Sequence, residues 1–104
     1  MGFVYLIGMK NQPNKFKIGS TRRKSITDRL KQLQTGNSEE LYLKDFYETE
    51  KPFKLEQMLH NKYKDNRLLG EWFELSSSIT ETFHSVCESY QKIISSLSNN
   101  PFFK

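Results

Sequence analysis

Alternating apolar and polar positions predict two paired strands at the start of the chain. Residues 3–7 are rich in β-branched and aromatic side chains and end at Gly8, and residues 16–19 resume the extended pattern. A short polar loop that contains Pro13 separates the two segments. A β-hairpin is therefore the simplest arrangement for this part of the chain.

Helical periodicity and turn residues predict five further elements. Ser25 with Asp28 resembles a capping box, Gly36 ends the helix that follows it, and Pro52 suits the first turn of another. Gly70 interrupts the chain before a short aromatic strand. In chain order the predicted elements are a helix over 25–36, a strand over 41–47, a helix over 52–65, a strand over 71–75 and a helix from 76 to about 97.

This order of elements predicts an α/β fold of the α+β kind, in which helices flank a small, mainly antiparallel sheet. A chain of 104 residues has room for one hydrophobic core. We therefore expect a single domain over 1–97 and a C-terminal tail over 98–104.

Charge and cysteine usage restrict the class of protein. Lys and Arg number 16 against 12 Asp and Glu, and the resulting net charge of +4 fits a polyanionic partner. The single cysteine, Cys87, has no partner for an internal disulfide, and its helical setting favours a buried, inert thiol. The chain shows no apolar run of about 20 residues and no signal peptide, so we expect an intracellular protein that does not span a membrane.

Five side chains supply the groups that phosphodiester hydrolysis requires. Tyr5 and Lys17 lie on the two paired strands, and Arg29 projects from the first helix. Glu56 and His60 are four residues apart on the second helix and so share a face. Together they offer cations for the phosphate, a carboxylate for a metal ion and groups that transfer protons.

The order and spacing of these residues resemble the GIY-YIG nuclease superfamily. Phe3-Val4-Tyr5 stands where the family has Gly-Ile-Tyr, and Lys17-Ile18-Gly19 stands where it has Tyr-Ile-Gly. Arg29 and Glu56 are similar to the family arginine and the metal-binding glutamate. The tail of the pattern, Gly70-Glu71-Trp72-Phe73, is similar to a branch that is frequent in viral and phage proteins.

The resemblance implies a role for each matching residue in a metal-dependent DNA endonuclease. Tyr5 would assist the attack on the phosphate, either as a base or through metal-bound water, and Arg29 would stabilise the developing negative charge. Glu56 would bind one divalent ion, Mg²⁺ or Mn²⁺. Gly19 would allow the backbone to approach the site.

Lys17 departs from the family pattern, because a tyrosine is expected at its position. A lysine is a poor base at neutral pH, so we expect Lys17 to contact phosphate as a point charge. His60 would then supply acid–base chemistry, or form a hydrogen bond with Tyr5 or Glu56.

Three basic residues after the second strand, Arg22, Arg23 and Lys24, predict a second contact with nucleic acid, and DNA is the favoured partner. Each candidate also has a structural interpretation, since basic loops and helix faces are commonly just solvated. Trp72 and Phe73 are expected to belong to the core.

Two other functions are compatible with the same sequence. A nucleic-acid-binding module without catalytic activity is suggested by the replacement at Lys17. A protein-interaction domain is suggested by Phe102 and Phe103 in the tail, which would contact a protein partner.

Overall fold

Five antiparallel strands and four helices make up the computed structural model, which describes residues 1–98. The helices and strands have the following bounds: β1 Gly2–Met9, β2 Gln12–Thr21, α1 Ile26–Thr35, β3 Leu41–Thr49, α2 Pro52–Lys62, β4 Arg67–Leu69, β5 Trp72–Glu74, α3 Ser77–Thr80 and α4 Phe83–Ser98. The strands are arranged in the order β3-β1-β2-β5-β4. The predicted α+β class with an antiparallel sheet is confirmed.

The alternation along β1 separates two apolar clusters, one on each face of the sheet. Val4 and Leu6 point towards α2 and α4 and belong to the larger cluster. Tyr5 and Ile7 point to the opposite face, where the apolar side chains of α1 cover them. Both faces of the sheet are therefore buried around β1, and polar groups on this strand need partners within the protein.

Local signals in the sequence explain the first helix. The Ser25 side chain accepts a hydrogen bond from the Asp28 backbone N–H at 3.3 Å, so the predicted cap is present. Gly36 ends the helix, as predicted. The predicted strand over 41–47 continues to Thr49, and the helix predicted over 52–65 ends at Lys62 before a 3₁₀ turn over Lys64–Asn66.

The predicted helix from 76 to 97 is wrong in one respect, because the chain forms two helices there. The Thr82 side chain donates to the Ile79 carbonyl at 2.7 Å, and the Thr82 backbone N–H contacts the same carbonyl at 3.1 Å. These local bonds replace the continuing helical ladder. The Thr82 carbonyl then accepts from Val86 N–H at 2.9 Å in the first turn of α4.

The strand β4 is absent from the sequence prediction. All three of its residues are exposed, so no apolar alternation marks it. Gly70, with φ of +57°, forms the turn that folds β4 back onto β5, and Arg67 Nε donates to the Gly70 carbonyl at 2.6 Å. The tail residues Phe102 and Phe103 lie outside the described residues, and the domain boundary at 97 stays a prediction.

Candidate active site

Tyr5 and Arg29 meet on the face of the sheet that α1 covers. Tyr5 is fully buried, and Arg29 Nε donates to its hydroxyl oxygen at 3.3 Å. The guanidinium carbon lies 5.9 Å from the centre of the Tyr5 ring. The Tyr5 hydroxyl is therefore enclosed by the protein, and the phenol holds the arginine in place.

Gly19 makes room for the Tyr5 ring. Tyr5 and Gly19 are opposite each other in the β1–β2 ladder. A Cβ atom at position 19 would lie 2.6 Å from Cζ of the Tyr5 ring, well inside van der Waals contact. The glycine is thus required by the position of the tyrosine.

Burial raises the pKa of Tyr5 above its ordinary value of 10.0. The hydrogen bond and the positive charge of Arg29 oppose this rise, whereas the charges of Glu71 and Glu56 add to it. The phenol is therefore protonated at neutral pH.

Glu56 is a buried carboxylate on α2. The neighbouring Leu55 and Leu59 anchor the helix in the larger core, and Glu56 itself is only 8% exposed at the margin of that core. Burial raises the pKa of Glu56, and a hydrogen bond from the Ser20 side chain opposes the rise. A carboxylate in this setting is costly to ionise unless a cation lies close to it.

His60 takes the place of a strand partner at the edge of β2. The strand β5 pairs with β2 only at Lys15–Lys17, and Ile18 N–H donates to the Glu71 carbonyl at 3.0 Å. His60 Nε2 lies 2.8 Å from the Ile18 carbonyl oxygen, and its ring packs 5.0 Å from that of Phe73. Because a carbonyl only accepts, Nε2 carries the proton and Nδ1 keeps its lone pair when the ring is neutral.

Lys17 is paired with an acidic residue that the sequence interpretation did not select. Its Nζ lies 3.1 Å from Oε1 of Glu71, and the two side chains are 17% and 36% exposed. The ammonium also lies 5.6 Å from the centre of the Trp72 ring. The predicted contact between Lys17 and phosphate stays a prediction.

Glu71 joins Glu56 and His60 in a group of potential metal ligands. One ligand atom from each residue lies within 4.8 Å of the other two. Two carboxylates and an imidazole suit a divalent cation, so the donor set fits the ion that the resemblance implies. Glu71 precedes the aromatic pair of β5, and its backbone carbonyl accepts from Ile18 N–H, so it lies beside β2.

The other candidates are not members of this ligand group. Arg22, Arg23 and Lys24 are exposed on the turn between β2 and α1. Cys87 is buried in the larger core, where burial raises its pKa to about 12, so the thiol is inert as predicted. Phe73 is fully buried, and Trp72 is half-buried against the smaller cluster.

Within residues 1–98, none of the helices is long and apolar enough to cross a membrane. Neither the curated proteins nor the solved structures give a significant match to the chain. The T5orf172 domain family matches residues 2–93, which include every element up to most of α4. The narrower resemblance to the GIY-YIG nucleases stays a prediction, but the chain belongs to the T5orf172 domain family, a phage-derived group associated with nuclease-type folds.

Proposed function

We propose that the protein is a metal-dependent endonuclease that hydrolyses phosphodiester bonds of DNA. The observation that carries the proposal is that the candidate residues converge on residues 18–20 of β2. Gly19 is opposite Tyr5, to which Arg29 donates. Ile18 and Ser20 contact His60 and Glu56, which form a group of potential ligands with Glu71. A phosphodiesterase needs this combination of a fixed cation, buried carboxylates and groups able to hold a proton.

Arg29 is already oriented before a substrate binds. Tyr5 accepts from its Nε, and Gln32, one turn further along α1, accepts from one of its terminal nitrogens. A guanidinium held in this way meets the negative charge of a phosphate without losing further side-chain freedom. We assign it the stabilisation of the charge that develops on the phosphate oxygens.

Tyr5 and His60 are the candidates for proton transfer. The Tyr5 phenol is protonated, because burial raises its pKa, and it is therefore a hydrogen-bond donor towards a reacting oxygen. His60 has its Nε2 proton fixed by the Ile18 carbonyl, so Nδ1 is the nitrogen able to accept a proton or bind a metal.

Glu56 is the proposed anchor for one Mg²⁺ or Mn²⁺ ion. A bound divalent ion supplies Lewis-acid stabilisation of the phosphate and lowers the pKa of a coordinated water. The carboxylate of Glu56 is kept from bulk water by the packing of α2 against the sheet. Loss of this carboxylate should therefore remove activity while leaving the surrounding core intact.

Cleavage of labelled single-stranded, double-stranded and branched DNA, with RNA as comparison, tests the proposal in Mg²⁺, Mn²⁺ and EDTA. We expect metal-dependent products, and a loss of about 10²-fold or more in Glu56→Ala and Arg29→Ala. Glu50→Ala and Lys31→Ala remove matching charges from exposed positions and should cleave like the unaltered protein. Full activity in folded Glu56→Ala would refute the proposal.

The ion pair between Lys17 and Glu71 favours a second candidate, a nucleic-acid-binding module that does not cut. In this case Lys17 has replaced the second tyrosine of the family pattern, and its ammonium neutralises Glu71. The same experiment separates the two functions. Salt-dependent binding without product in every metal would favour the binding module.

A further inference from the structure

The Glu71 carboxylate lies between two potential partners, the Lys17 ammonium and a metal ion. On one side its Oε1 is 3.1 Å from the Lys17 ammonium, in an ion pair that is only partly exposed. On the other side its ligand atom is within 4.8 Å of those of Glu56 and His60. One carboxylate thus contacts a positive charge of the protein and also completes a set of metal donors.

The spacing of the three donors is close to what an ion requires. Ligands on opposite sides of an ion bound at 2.0–2.1 Å are about 4.2 Å apart. Donor atoms that already lie within 4.8 Å of one another need only side-chain rotations to close around it. The Ile18 carbonyl fixes the tautomer of His60, as backbone carbonyls do for metal-binding histidines.

Lys17 keeps a favourable contact with the Trp72 ring if the Glu71 side chain moves away. Its Nζ is already 5.6 Å from the Trp72 ring centre, and Lys15, two residues before it, lies 5.6 Å from the same ring. An aromatic face attracts an ammonium even without a carboxylate. The ion pair can therefore open without leaving the lysine unpartnered.

We propose that Glu71 is a third ligand of the divalent ion and that Lys17 is the counter-ion which holds this ligand until the ion binds. Ion binding moves Glu71 from the ammonium to the metal and releases Lys17 towards the substrate phosphate. The imidazole ligand favours Mn²⁺ over Mg²⁺, because Mg²⁺ prefers an all-oxygen shell. This inference rests on the proposed metal site at Glu56.

Isothermal titration with Mn²⁺ in the absence of nucleic acid tests the exchange. Glu71→Gln should weaken Mn²⁺ binding by about tenfold or more, since even the loss of an outer-shell partner has effects of that size. Lys17→Gln should tighten binding about fivefold, which corresponds to the upper range for a partly exposed ion pair. In the Glu71→Gln background, Lys17→Gln should have no further effect.

Lys15→Gln is the matched control, because it removes the same charge beside the same ring. If Lys15→Gln tightens Mn²⁺ binding as much as Lys17→Gln, general charge repulsion explains the effect and the exchange is refuted. Unchanged affinity in Glu71→Gln, or no Mn²⁺ binding by the unaltered protein, would also overturn the inference. Circular dichroism should show that all variants fold, since both side chains of the pair are partly exposed and neither belongs to an apolar cluster.

The titration and the cleavage assay distinguish two kinds of failure. Metal-dependent cleavage together with unchanged Mn²⁺ affinity in Glu71→Gln would leave the nuclease intact and remove Glu71 from its metal site. The expected titrations with no cleavage of any substrate would leave the metal site intact and remove the nuclease function.

Discussion

At the scale of single residues, the burial of Glu56 lowers the free energy of unfolding at neutral pH. Glu56 is 8% exposed, and burial raises its pKa above the ordinary value of 4.5. A raised carboxyl pKa means that the folded state disfavours the ionised form. The stability that comes with the protonated carboxyl is fully present below pH 4.5 and is lost as the pH rises through the folded-state pKa.

Glu56→Gln should therefore raise the melting temperature at neutral pH by a few degrees, because the amide is neutral and still accepts from Ser20. The gain should shrink as the pH falls and disappear below about pH 4.5, where Glu56 is protonated in both states. Thermal melts between pH 4 and pH 8 measure this. A gain that is independent of pH would contradict the burial argument.

The sequence indicated which residue types form the site but not all of its members. Tyr5, Lys17, Arg29, Glu56 and His60 were selected from spacing and resemblance. The structure pairs Tyr5 with Arg29, and it groups Glu56 and His60 with Glu71, which forms an ion pair with Lys17. Glu71 was noted only as part of the pattern Gly70-Glu71-Trp72-Phe73, because an acidic residue beside two aromatics gives no local signal of a metal ligand. Its place in the group depends on where β5 begins beside β2, which is a property of the tertiary structure.

At the scale of elements, the β1–β2 hairpin sets the position of the Tyr5 phenol. Gly19 is opposite Tyr5, and the ring occupies the space that a side chain at position 19 would need. The pair therefore couples strand register to the placement of the site. A side chain at position 19 has to displace either the ring or the strand.

Gly19→Ala should destabilise the protein by about 1–3 kcal/mol, as overpacking does in a well-packed core. Gly36→Ala is the control, since the nearest atom to its added Cβ would be 4.0 Å away and its φ of −93° suits alanine. Urea unfolding of the two variants measures the difference. Equal stability of both would show that the Tyr5 ring can move without cost.

Elements with strong local signals were predictable, and those defined by pairing were not. The hairpin, the capped α1 and α2 follow from alternation, Ser25 and Pro52. The strand β4 has three exposed residues and exists only because Gly70 turns it onto β5. The break at Thr82 depends on side-chain bonds that apolar periodicity does not reveal.

At the scale of the whole molecule, the sheet is buried on both faces around β1, whereas β2 pairs with β5 over only three residues. The two clusters lie on opposite faces of the sheet, and the candidate site lies beside the first residue of β5. The exposed basic turn 22–24 follows β2 directly, so it emerges from the strand that carries Lys17 and Ser20. This placement predicts that the turn 22–24 binds nucleic acid, while the proposed hydrolysis takes place at the candidate site.

Replacing Arg22, Arg23 and Lys24 together with alanine should weaken DNA binding and flatten its salt dependence. Each lost phosphate contact on duplex DNA lowers the slope of log affinity against log salt by about 0.9, so up to three contacts give a drop of about 2 to 3. Fluorescence anisotropy over a range of NaCl concentrations measures this slope. The matched control replaces the exposed Lys10, Lys44 and Lys92, which lowers the net charge from +4 by the same amount but leaves the turn intact. Equal slopes in the two triple variants would mean that net charge, and not this turn, governs the interaction with DNA.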